Sequence, residues 1–145
     1  MNRWRQVPGV AAALCAVLLL TASVQIQEPE RELEAGKHAA DKGDYADAVA
    51  HLNKANQLLQ DKCSECYVWL ARIEMAKGNL KLASEQTEKA VATATTSGQR
   101  SSAELYRGIV LGRQGNLVQA EAAFKAASAA RRFPRIDPFQ SPRRV

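Results

Sequence analysis

The sequence predicts an all-α fold, an α-solenoid of three helix-turn-helix hairpins placed after an amino-terminal signal or anchor helix. Three observations carry that expectation. Of 145 residues, 46% are hydrophobic and only 6% aromatic, and Ala and Leu, the strongest apolar helix formers, fill the middle of the chain. A pattern of glycine, alanine and large apolar residues recurs three times at helical spacing. The two ends differ sharply in composition from the stretch between them, which is about the size at which a single core stands alone.

The first element, residues 1–24, has the three parts of an export signal. Arg3 and Arg5 precede an apolar run from Val10 to Leu20, and the small residues Thr21, Ala22 and Ser23 follow it. The basic residues favour keeping that end in the cytoplasm. Counted from Val7 to Ile26, the weakly polar run reaches twenty residues, enough to span a bilayer. Its strongly apolar part is shorter, so cleavage after Ala22 or Ser23 is favoured over retention as an anchor. Cys15 does not sit in a lipidation context, because Leu14 precedes it and apolar residues follow.

The repeats come next. Gly43 leads to Tyr45, Ala48, Leu52 and Ala55; Gly78 leads to Leu80, Ala83, Thr87 and Ala90; Gly115 leads to Leu117, Ala120, Phe124 and Ala127. A small residue, Gly36, Ala71 or Gly108, lies seven positions before each glycine, and the glycines are 35 and 37 residues apart. A glycine can adopt the left-handed conformation that ends a helix, and Asp44, Asn79 or Asn116 is then expected to cap the next one. Asn116 with Gln119 is close to a capping box. The apolar positions after the glycine fall on one helix face, and the small residue ahead of it marks a close helix crossing. No hairpin of this size buries its apolar face alone, so the three are expected to stack.

This spacing resembles the tetratricopeptide repeat (TPR), over about residues 29–132, with units at 29–62, 64–97 and 101–132. The resemblance implies a protein-binding scaffold, non-enzymatic and free of cofactors, of the bacterial exported or envelope type. Thr87 stands where the family has an aromatic residue or leucine, which predicts a loosely packed middle repeat. The family's late proline is missing from the first two repeats, and Ser97-Gly98-Gln99-Arg100 reads as a lengthened connection.

The family binds an extended peptide or helix of a partner protein in a concave groove lined by the first helix of each hairpin. Carried onto this chain, the groove residues are Leu33, Lys37, Val68, Arg72, Met75, Leu105, Ile109 and Arg113. Basic groups over an apolar floor would suit an acidic and hydrophobic segment. The plainer alternative is that Lys37, Arg72 and Arg113 are ordinary solvated charges. The chaperone-binding subclass, which clamps a terminal carboxylate, is not reproduced: its clamp positions here hold Leu33, Lys37, Trp69, Ser102 and Tyr106.

Cys63 and Cys66 are the one pair that could carry chemistry. At a helix start a thiol pKa falls, and in an exported chain the two can close into a short disulfide. A thiol–disulfide or cytochrome-maturation role is therefore the alternative function. The redox motif, however, belongs to a βαβ setting, and haem attachment would need a histidine where Tyr67 stands. Zinc would need two further ligands, and only His38 and His51 remain, far off in sequence. Asp41, Asp44 and Asp47 are explained by capping without a metal.

The last element, residues 133–145, reads as a Pro/Arg-rich disordered tail, with Pro134, Pro138 and Pro142 at four-residue intervals. A helical cap for the array is not legible there. Either Phe133, Ile136 and Phe139 anchor the tail on the last hairpin, or the open end docks on a partner, including a second copy. Charge divides accordingly. The first 23 residues carry +2 and the last fifteen +4, while the body holds 13 basic and 14 acidic residues, so no basic stripe suits nucleic acid. Membrane contact is expected only through the amino-terminal segment. The location implied is exported, either periplasmic or anchored in the inner membrane facing the periplasm.

Overall fold

The computed structural model describes residues 28–132; the expectations for residues 1–24 and 133–145 lie outside them. The described chain is all-α, with six helices and no strand: α1 (28–42), α2 (Tyr45–Leu58), α3 (Ser64–Ala76), α4 (Leu80–Thr93), α5 (Ser97–Arg113) and α6 (Leu117–Arg132). None of these helices is long and apolar enough to cross a membrane. Successive helices pack on one another, most extensively α5 with α6 and α3 with α4, and α3 also touches α5.

The turns explain the pairing. Gly43, Gly78 and Gly115 have φ near +80° (83°, 81° and 83°). Each closes the same motif: in the first, the Gly43 N–H donates to Ala40 O and the Asp44 N–H to Ala39 O, at 3.0 Å each. The pair of bonds recurs as Gly78 to Met75 with Asn79 to Glu74, and as Gly115 to Gly112 with Asn116 to Leu111. The end of α2 uses the same motif without glycine. There Gln60 and Asp61 take φ of 54° and 58°, and their N–H groups donate to Gln57 O and Asn56 O. A left-handed pair of non-glycine residues costs energy, and the buried Asn56 side chain offsets it. Its amide donates to Asp61 Oδ1 and Tyr67 Oη and accepts from the Cys63 N–H.

Capping follows expectation in part. Asp44 accepts from the Asp47 N–H and starts α2. Asn79 occupies the N-cap position of α4 but makes no side-chain cap, because its amide donates to Glu74 Oε2 at 2.7 Å. The Asn116 amide meets Gln114 Oε1, and the capping box falls instead on Thr96 and Gln99. Consequently Ser97–Arg100 is the first turn of α5 and not a connection.

Small residues set the helix crossings. A Cβ on Gly36 would lie 2.8 Å from Leu52 Cγ, and one on Gly108 would lie 2.6 Å from the Phe124 ring. These contacts join the position seven before each turn glycine to the position nine after it. Ala48, Leu52, Ala55, Ala83, Thr87 and Ala90 are all fully buried. The middle pair is not loosely packed: α4 packs on both α3 and α5, and the Thr87 hydroxyl donates to Ser84 O at 2.8 Å. A second repeated contact was not anticipated. Ser64 Oγ donates to Ala90 O and Ser101 Oγ to Ala127 O, at 2.8 and 2.9 Å, each reaching 26 residues ahead. On α6 the pattern opens outward, with Leu117 71%, Val118 84% and Phe124 40% exposed.

Candidate functional site

The first helices of the second and third pairs, α3 and α5, enclose a cavity of about 310 Å³ between them. From α3 it takes Ser64, Glu65, Val68, Trp69 and Arg72, a stripe at spacings of three and four that shares one helix face. From α5 it takes Gly98, Gln99, Ser102 and Tyr106. Burial of Val68, Leu70 and Ile73 in the main core holds α3 in place, and Trp69 and Tyr106 pack partly against that core.

Arg72 and Glu65 are the charged residues that line this cavity. The guanidinium carbon of Arg72 stands 3.6 Å from the centre of the Trp69 ring and 5.7 Å from that of Tyr106. Stacking against aromatic faces favours the cation and holds its plane in one orientation. Among the described residues no carboxylate lies within 4.0 Å of it. At the other end, Glu65 is engaged by Lys37 of α1 at 2.5 Å. Burial opposes the charge on Lys37, but its hydrogen bonds to Glu34 and Glu65 outweigh that and raise its pKa above the usual lysine value.

Of the residues expected to form one groove, the structure brings Val68 and Arg72 together in this cavity. Lys37 reaches its edge through Glu65. Leu33 instead packs on the core and on the cluster of Ala55, Cys63 and Cys66. Met75 is buried with Ala83 and Val110, and half-buried Ile109 packs on that cluster. Leu105 lies elsewhere, in a groove of about 300 Å³ beside Phe124, Ser128 and Arg132 of α6. Arg113 is exposed in the last turn of α5. Glu65 and Gln99 were not anticipated, and Trp69, Ser102 and Tyr106 were named only as positions of an absent clamp. The signal that could have found the α3 set is the spacing of Glu65, Val68, Trp69 and Arg72.

Cys63 and Cys66 are joined in a disulfide. Cys63 is the N-cap of α3, and its sulfur accepts the Cys66 N–H at 3.1 Å. Both residues are buried, at 5% and 0% exposure. His38 is exposed on α1, while His51 Nδ1 lies 2.6 Å from Glu32 Oε2. That carboxylate also takes a hydrogen bond from Lys54, and the two partners hold its pKa below the usual value. Among the described residues no group of three or more His, Cys, Asp or Glu is placed to hold a metal ion. The chain matches no protein-family model and no curated protein.

Proposed function

We propose that this chain is a non-enzymatic, exported protein-binding scaffold of the TPR type, which holds a peptide or helix of a partner protein between its first helices. The observation that carries the reading is the α3–α5 cavity, lined by Val68, Tyr106 and an Arg72 stacked on Trp69. Aromatic residues and arginine are the side chains that anchor protein interfaces. The recurring glycine turns and the contacts of Gly36 with Leu52 and Gly108 with Phe124 support a stacked-hairpin architecture. The joined cysteines suit an oxidising compartment, in keeping with the export signal read in residues 1–24.

The alternative, a thiol–disulfide factor using Cys63 and Cys66, needs a sulfur that a partner thiol can reach. Burial of both residues favours the binding reading. Affinity capture from cells with the full chain tests it. The variant Ser102→Trp, which fills the cavity, should lose the captured partner while keeping its helical circular dichroism. Unchanged recovery would contradict a groove-binding role.

A further inference from the structure

We infer that the α3–α5 cavity selects an extended peptide by one acidic side chain, whose carboxylate seats on the edge of Arg72. This rests on the binding role proposed above and names the chemistry of the partner.

One face of the Arg72 guanidinium is covered by the Trp69 ring, whose centroid is 3.6 Å away, and the Tyr106 centroid is 5.7 Å away. A guanidinium carries five N–H donors, all in its plane. Stacking leaves those edge donors as its means of recognition, and they match a planar carboxylate two at a time. Among the described residues no acidic group takes them up: every acidic side chain paired within 4.0 Å is paired with another base. The stacked geometry also fixes the cation before binding, so less side-chain entropy is lost when the ligand arrives.

A carboxylate suits this site better than a phosphate group. Glu65 lines the same cavity, seven residues and about two helical turns, or roughly 10 Å, from Arg72. A second negative charge is tolerated better there as a monoanion than as a phosphate dianion. Lys37 engages Glu65 from outside the cavity, so Glu65 does not close onto Arg72. Val68, Trp69 and Tyr106 then offer apolar surface to the residue beside the acid, while Gln99 and Ser102 are polar groups within reach of a peptide backbone.

The test probes the full chain with an arrayed library of end-capped 12-residue peptides of random sequence. Enriched peptides are resynthesised with each Asp or Glu replaced by its amide. The expected result is enrichment of an acidic residue beside an apolar one, with a loss on the order of tenfold for the amide at a single position. Arg72→Gln should bind acid and amide forms equally, and Arg72→Lys should retain part of the preference, which guards against a folding defect in the first variant. Peptides that are blocked by Ser102→Trp but indifferent to acid or amide would overturn this inference and leave the groove reading standing. Absence of any enriched peptide, or binding that survives Ser102→Trp, would overturn both.

Discussion

At the scale of single residues, the two crossing glycines are not equivalent. A methyl group at Gly36 meets Leu52, which is fully buried, and also the Ala48 carbonyl oxygen at 3.2 Å. At Gly108 it meets the Phe124 ring, which is 40% exposed and has room to swing. Overpacking a closed core costs about 1–3 kcal/mol, whereas replacing a helical glycine by alanine gains about 1 kcal/mol. Gly36→Ala should therefore destabilise, by up to about 2 kcal/mol, and Gly108→Ala should be near neutral, as measured by urea unfolding. Equal effects would show that the exposure of Phe124 does not matter. Both glycines were legible in the sequence as close crossings, because each repeats seven positions before a turn glycine. Asn56 was not. It carries no repeat signature, and its role depends on the left-handed Gln60–Asp61 pair, which only the fold reveals.

Among the elements, α1 and α2 are tied by Glu32 to His51 and Lys54, and α3 begins on the joined cysteines. Glu32 has its pKa lowered in the folded state from an ordinary 4.5. Its contribution to stability is therefore complete above that value and is lost as pH falls through the lowered one. The acid limb of unfolding should be shallower for Glu32→Gln than for the native chain below about pH 4.5, and identical profiles would remove this link. Closing so short a loop by the Cys63–Cys66 bond contributes about 2 kcal/mol by restricting the unfolded chain. Urea unfolding with and without dithiothreitol should show that difference, and no change would mean the pair is not joined in solution. Helix positions were legible from the glycines and alanine offsets. The start of α5 was misjudged because Ser97–Arg100 has loop-like composition, while the Thr96–Gln99 capping box that makes it helical is a local geometry.

For the molecule as a whole, the question is what its first helices present together. The family resemblance assigned the groove to outward residues of all three first helices, but packing divides that set. Met75 turns into the core, and Leu105 faces α6. What remains is a cavity between α3 and α5 whose Trp69, Ser102 and Tyr106 come from two helices and meet only on folding. The proposed binding role puts a partner segment in this cavity. It is tested most directly by placing a photo-crosslinking residue at Ser102, and separately at exposed Glu88 of α4, in the full chain in cells. A discrete adduct is expected from Ser102 and none from Glu88. Adducts from both positions, or from Glu88 alone, would contradict it.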